Sequence, residues 1–148
     1  MYNFWQFLHV TAAVTWVGAG ILSLVLSLRL TVATDNPIAA PANGLVQKTA
    51  VPLFMAASLS TLITGLILAF GWIGFGPLWI KIGLGGIVFS LVMGWGYHRP
   101  HGAKIESAIQ ERGPSDPSVL ALIRQGNVVS IVEIAILIFV IWAMVTKP

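Results

Sequence analysis

The sequence predicts an all-α integral membrane protein, folded as an antiparallel four-helix bundle with its N- and C-termini outside. Three observations lead to this prediction. Hydrophobic residues make up 57% of the 148 residues and charged residues only 9%, whereas about a quarter of a soluble domain is charged. Four apolar runs are each long enough to cross about 30 Å of hydrocarbon. The cations concentrate on alternate connections between these runs.

The four spans account for nearly the whole chain, so residues 1–148 are predicted to form a single transmembrane domain. The spans lie at about residues 3–28, 50–72, 78–97 and 118–145. Pro52 stands near the start of the second span, where a missing N–H costs little. A polar loop, 31–48, follows the first span, and a tight turn precedes the third. The charged stretch after the third span includes a candidate interfacial helix at 103–112.

The distribution of cations predicts the orientation. The two longer connections, together with the start of the fourth span, carry six Lys and Arg residues, whereas the side of the termini carries only Lys81 and Lys147. The positive-inside rule places the side with more cations in the cytoplasm. The chain is therefore predicted to be a multi-pass protein of a bacterial-type inner (cell) membrane.

Composition also excludes several classes of function. The chain has no cysteine, which excludes disulfides and thiolate-held metals. Its net charge of +3 is scattered without a basic run, so nucleic acid is not a predicted partner. No paired carboxylates and no nucleophile–base pair can be identified, which favours binding over catalysis. The predicted partner is the lipid bilayer, with other membrane subunits or further copies of the chain left open.

Function is expected at the polar residues that the bilayer makes costly. His9 lies near the outer end of the first span, and Trp16 and Gly20 follow on the same helical face. A neutral imidazole is a common metal ligand, and a small surface beside an aromatic ring suits a flat macrocycle such as haem. The alternative is a structural histidine that hydrogen-bonds to a neighbouring helix or to interfacial water.

Lys81 lies about one turn into the third span, on the same side of the membrane as His9. Its ammonium either extends to the interface or neutralises a carboxylate such as a haem propionate. His98 lies roughly 25 Å further along the membrane normal, so His9 and His98 cannot ligate opposite faces of one haem. Met144, at the outer end of the fourth span, is the candidate second axial ligand, with water or an open position as alternatives.

The fourth span carries three further intramembrane polar residues, Arg124, Asn127 and Glu133. Glu133 lies near the middle of the span, where an isolated carboxylate would become protonated or find a partner. It is therefore either part of a proton relay or one side of an interhelical hydrogen bond.

Two histidines bracket a proline at the inner end of the third span. Pro100 is predicted to break the helix that would align His98 with His101. This favours a basic interfacial cluster that meets lipid headgroups over a metal site.

Motifs in all four spans resemble those of one membrane-protein superfamily. They are Leu8-His9-Val10 with Trp16-Val17-Gly18-Ala19-Gly20, Pro52 with Thr64-Gly65-Leu66, Trp79-Ile80-Lys81, and Arg124-Gln125-Gly126-Asn127. The first resembles a His-x6-Trp-x-(Ala/Gly)-Gly opening of the first helix. The superfamily contains the HemJ-type protoporphyrinogen oxidases, the CopD copper-resistance domains and related uncharacterised membrane proteins.

This resemblance implies that His9 ligates haem b and that Lys81 corresponds to the third-helix lysine of the superfamily. The chain departs from the oxidases in two places. Tyr97-His98 follows Lys81 at a greater spacing than the corresponding pair, and Ser-Leu-Arg-Leu-Thr-Val replaces a conserved segment after the first helix. These departures argue against porphyrinogen oxidation itself.

Three functions are therefore carried forward from the sequence. The first is a small polytopic protein that binds haem b or takes part otherwise in membrane redox chemistry and electron transport. The second is a non-catalytic accessory subunit of a larger respiratory or photosynthetic complex, as short loops and six tryptophans suggest. The third is copper handling, for which the outward-facing methionines and histidine are few.

Overall fold

A computed structural model describes the backbone of residues 1–32 and 39–148 and the side chains of residues 1–29, 49 and 52–148. Five α-helices occur in this part of the chain: α1 (Tyr2–Val32), α2 (Ala39–Leu68), α3 (Leu78–Met93), α4 (Arg99–Arg112) and α5 (Pro117–Thr146). A π-helical turn, Ala69–Ile73, closes α2, and a second one, Gly94–His98, joins α3 to α4 without a break.

The helices confirm the predicted all-α membrane bundle. In the described part of the chain, four helical stretches are long and apolar enough to cross a membrane: Tyr2–Arg29, Pro52–Ile73, Leu78–Arg112 and Pro117–Thr146. The third stretch includes α4, which continues from α3 instead of forming a separate interfacial helix. Continuous helix satisfies backbone groups within one segment, as lipid requires.

Pro52 begins the second apolar stretch, as predicted, but it lies inside α2 and not in the first turn of the helix. The helix begins at Ala39, so residues 39–48 of the predicted loop are helical, and residues 33–38 lie outside the described residues. A proline inside a helix removes one backbone hydrogen bond. Pro52 is also the first residue of the apolar stretch, so the carbonyl that it leaves unpaired belongs to the polar part of α2.

Three of the four pairs of neighbouring membrane-crossing helices pack together, and the fourth pair, α2 and α3, has little contact. The helices pack in the order α2, α1, α5, α3, whereas α2 and α3 barely touch although one short turn joins them. All four helices meet at one level, where the buried core consists of Trp16, Val17, Ala57, Ile87 and Leu137. We call the end that carries both termini the terminal end, and the opposite end, where α4 packs on the start of α5, the loop end.

Glycines allow the helices to approach closely. A Cβ on Gly86 would lie 2.5 Å from a methyl carbon of Val140, and Gly126 faces His101 in the same way at 3.2 Å. Lipid supplies no hydrophobic force between helices, so the bundle depends on such van der Waals contacts and on interhelical hydrogen bonds. At these two positions the absence of a side chain sets the distance between the helices.

The helix α5 begins at a side-chain cap. The Asp116 carboxylate accepts a hydrogen bond of 2.8 Å from the backbone N–H of Ser118 and a second from its hydroxyl. These bonds, with the Arg112 guanidinium nearby, hold the pKa of Asp116 below its usual value. Gly113 precedes this cap with a φ of +86°, a conformation that few residues other than glycine adopt.

Replacing Gly86 by alanine is expected to destabilise the bundle by about 1–3 kcal/mol. The added methyl group meets Val140, a β-branched residue whose side chain has little rotameric freedom in a helix. The matched control is Gly85→Ala, whose Cβ would meet no atom within 4 Å. Equilibrium unfolding in mixed micelles, followed by circular dichroism, measures the difference. Equal stabilities of the two variants would contradict the close approach of α3 and α5.

The predicted orientation is open to direct labelling because the chain contains no cysteine. Asn3 and Ser107 are both exposed, at the terminal end and on α4 respectively. A membrane-impermeant maleimide is expected to label Asn3→Cys in intact cells and Ser107→Cys only after lysis. The reverse pattern would show that the termini face the cytoplasm.

Candidate functional site

His9 packs against α2 near the terminal end of the bundle. Its Nδ1 atom lies 3.0 Å from the carbonyl oxygen of Thr61 and 3.1 Å from the hydroxyl oxygen of Thr64. A carbonyl oxygen only accepts, so Nδ1 carries the proton and donates it. The Thr64 hydroxyl gives its own proton to the Ser60 carbonyl, at 2.6 Å. In the neutral ring the lone pair therefore belongs to Nε2.

Gly65 makes room for this arrangement. A Cβ at Gly65 would lie only 3.0 Å from Cε1 of His9, so the imidazole rests directly on the α2 backbone. Nε2 has no hydrogen-bond partner among the described residues, yet it is not one of the buried unpartnered atoms. It therefore remains accessible, and His9 offers one unprotonated nitrogen to a ligand.

Trp16 and Gly20 do not lie around the His9 ring. Trp16 belongs to the core, where its ring meets Phe54 edge-on with the centroids 6.1 Å apart. A Cβ on Gly20 would touch the same phenyl ring at 3.4 Å. The structure brings these two residues together over Phe54, about two to three turns further into the bundle than His9.

Lys81 and Met144 lie at the terminal end, as His9 does, but they face other surroundings. Lys81 is exposed. The methyl group of Met144 sits over Gly83, 1.8 Å from where a Cβ would be, and so fills the contact between α5 and α3. The sulfur of Met144 is thus held on the α3 side of the bundle, away from the α1–α2 contact that holds His9.

Glu133 has two partners on one neighbouring helix. Its Oε1 accepts a hydrogen bond of 2.6 Å from the Ser90 hydroxyl, and its Oε2 lies 2.6 Å from Nε2 of His98. The side chain of Glu133 is 7% exposed and that of His98 is 33% exposed. Glu133 is therefore paired, which is one of the two states that the sequence left open.

The π-helical turn brings Ser90 and His98 to the same face. Residues eight apart on a regular α-helix differ by about 80° in direction. A π turn inserts one extra residue and removes about 100°, so His98 comes within about 20° of Ser90. Without this turn, a single carboxylate on α5 would not reach both side chains.

The prediction that Pro100 breaks the helix is wrong. Pro100 follows the π turn Gly94–His98 within the first turn of α4, where the regular hydrogen-bond ladder is already interrupted and a missing N–H costs least. His98 and His101 consequently share one continuous helix, and both turn towards α5 instead of lipid headgroups.

His101 is buried, and its contacts hold α4 against α5. Its Nε2 lies 2.9 Å from the Leu122 carbonyl oxygen and donates to it. The Tyr97 ring stacks on the imidazole with centroids 4.9 Å apart, and Gly126 provides the space beside it. These contacts fasten α4 to the first turns of α5.

The remaining intramembrane polar residues have distinct settings. Asn127 is buried and its Oδ1 accepts a hydrogen bond of 2.7 Å from Ser27 of α1, whereas its Nδ2 is buried without a partner among the described residues. Arg124 is exposed. In the part of the chain that the structure describes, no group of three or more His, Asp and Glu residues is arranged to hold a metal ion.

Two sets of partners were not identified from the sequence. Of Thr61, Thr64 and Ser90, only Thr64 stands out in the sequence, as part of a motif. Thr61 and Thr64, three residues apart on α2, form a polar patch that signals a partner for His9. The pairing of His98 with Glu133 had no comparable signal, because helical spacing alone cannot reveal a π turn.

The family model of predicted integral membrane proteins designated DUF2269 matches residues 4–148. The chain belongs to this family. No curated protein and no solved structure matches it. Membership in DUF2269 agrees with the four membrane-crossing helices, and the chain is an integral membrane protein embedded in the lipid bilayer.

The contacts of His9 in this DUF2269 chain predict its tautomer. In ¹⁵N-histidine-labelled protein at neutral to alkaline pH, the His9 ring is expected to be protonated at Nδ1 and bare at Nε2. Nuclear magnetic resonance distinguishes the two nitrogens, and a His9→Gln variant assigns the signals. A ring protonated at Nε2 alone would contradict the hydrogen bond to Thr61.

Proposed function

We propose that this chain is a redox-associated protein of the cell membrane that binds haem b through Nε2 of His9. The observation that carries the proposal is the orientation of the imidazole: Nδ1–H donates to the Thr61 carbonyl, and Nε2 is left accessible without a partner. Histidines that bind metals commonly donate their second N–H to a carbonyl or carboxylate, which orients the ring and raises its basicity.

The depth of His9 suits the amphipathic shape of haem. His9 lies seven residues after the start of α1, or about 10 Å along the helix axis. A macrocycle held at this depth would have hydrocarbon around its apolar part and water within reach of its propionates. The exposed ammonium of Lys81 at the same end of the bundle is the natural counter-ion for a propionate.

His9 is the one protein ligand in this proposal. Met144 packs over Gly83 in the contact between α5 and α3, so His9 is the residue that would hold the haem iron. Trp16 and Gly20 contact Phe54 and would support the helices that carry the site, without touching the haem. Haem b, when bound, supplies one-electron exchange at its iron. The resemblance to the HemJ-type and CopD superfamily supports the same role for His9.

The test is an absorption spectrum of the protein purified in detergent from cells well supplied with haem, before and after dithionite. A Soret band and sharpened reduced α and β bands are expected for the wild type. His9→Ala is expected to lower haem content at least about tenfold. His98→Gln, at the opposite end of the bundle, is the matched control and should retain the pigment.

Equal haem content in His9→Ala and the wild type would overturn the assignment of the ligand, and a colourless wild type would overturn the function. The colourless protein would instead favour an accessory subunit, and co-purification with other membrane subunits would identify its complex. Copper handling has less support, because His9 and Met144 are held on different sides of the bundle.

A further inference from the structure

We propose that Glu133, His98 and Ser90 form a proton-binding site inside the membrane, which exchanges protons with water at the loop end through His98. This inference does not depend on haem. It rests on a buried carboxylate that bridges two side chains of one helix, and on the difference in exposure between the three residues.

The site lies near the middle of the bundle, and His98 is its member on the side of the loop end. The contacts of Gly86 with Val140 and of Gly126 with His101 set the register of the antiparallel helices. This register brings Glu133 level with about Met93, roughly 20 Å from the start of α3. Towards the terminal end, the core that contains Trp16, Ile87 and Leu137 closes the bundle. The core thus separates Glu133 from water at the terminal end, which leaves the side of His98 and the loop end for proton exchange.

His98 is the exposed member of the site. Its side chain is 33% exposed, whereas that of Glu133 is 7% exposed and Ser90 is 2% exposed. A polar cavity of about 190 Å³ lies beside Tyr97 and is also lined by Lys104 and Gln125. This volume accommodates several waters, and the Tyr97 ring borders His98 with centroids 5.4 Å apart.

The geometry supports a balanced proton transfer. With one proton on the pair, that proton lies between Nε2 of His98 and Oε2 of Glu133, 2.6 Å apart. The Ser90 hydroxyl donates to Oε1 and takes no part in this transfer. A second proton, taken from hydronium at the loop end, bonds to Nδ1, and the proton on Nε2 passes to Oε2. The product is a protonated Glu133 beside a neutral His98 that carries its proton on Nδ1. Release of a proton from Glu133 to water reverses these steps.

No other charge is paired with Glu133 among the described residues. Tyr97 and His101, on the helix that carries His98, stack on each other. The nearby cations are exposed on their respective helices: Arg29 on α1, Arg99 on α4 and Arg124 on α5. Residues 52–73 of the second span contain no titratable group. The proton balance of the site therefore belongs to Glu133 and His98 as a coupled pair.

Infrared difference spectroscopy of the full-length protein in lipid vesicles tests the proposal. The chain has five carboxylate side chains, so each carboxyl band can be assigned by single variants. A carboxylic acid band that appears on acidification and is lost in Glu133→Gln is expected. Glu106→Gln and Glu111→Gln, on the exposed face of α4, are the matched controls and should retain this band.

The decisive measurement is the rate at which the Glu133 carboxyl exchanges its proton for deuterium. His98→Gln keeps an N–H donor for Oε2 but cannot carry a proton through its ring. Exchange in this variant is expected to be slower by on the order of 100-fold, the scale of catalysis by a positioned acid or base. Ser90→Ala removes a hydrogen-bond donor but not the proton carrier, so it should not slow exchange comparably.

Exchange that is as fast in His98→Gln as in the wild type would overturn the proposal. Should the variants fail to fold, the wild type alone decides. The ¹⁵N signals of His98 and the Glu133 carboxyl band are expected to change over the same pH range. A Glu133 band that is constant from acid to alkaline pH, or that titrates independently of His98, would also overturn it.

Discussion

Lipid offers no hydrogen bonds, and this one constraint accounts for how the helices of this protein pair. Each polar side chain within a span needs its partner inside the protein. Some find it in their own helix, as the Thr64 hydroxyl does at the Ser60 carbonyl, and others on a second helix, where one such contact joins almost every pair of neighbours. These contacts are His9 with Thr61, Ser27 with Asn127, Glu133 with Ser90, and His101 with Leu122. Within residues 52–98 no such hydrogen bond joins α2 to α3, and these two helices barely touch.

The same constraint gives the π turn Gly94–His98 its importance. A wider turn weakens the regular ladder of backbone hydrogen bonds, and Pro100 follows at once where one N–H is least needed. In return, His98 shares a face with Ser90, and a carboxylate in the membrane obtains two donors. An irregular backbone at a site of polar chemistry is a recurrent use of π turns. The two candidate sites thus lie on opposite sides of the apolar core, one at the terminal end and the other near the middle of the bundle.

Composition and the length of the apolar runs were enough to predict the fold, because they reflect the thickness of hydrocarbon. The predicted position of Glu133 inside the membrane, and its need for a partner, followed from the cost of burying a carboxylate. Its actual partners, Ser90 and His98, could not be predicted. The register of α3 against α5 depends on the contact between Gly86 and Val140, and the direction in which His98 points depends on the π turn. The position of His9 on the first helix could be predicted. That Nδ1 is the donor could not, because its acceptor is the backbone carbonyl of Thr61, a group that every residue has.

The packing order α2, α1, α5, α3 has a consequence for how the protein is synthesised. The hairpin of α1 and α2 contains both members of its polar contact, so it can leave the translocon already paired. Ser90 and His98 emerge 43 and 35 residues before Glu133, and they must wait in the membrane until α5 arrives. Insertion of α5 thus supplies the hydrogen-bond partner of Ser90 and His98. The same helix packs against α1 and so joins the first hairpin to α3.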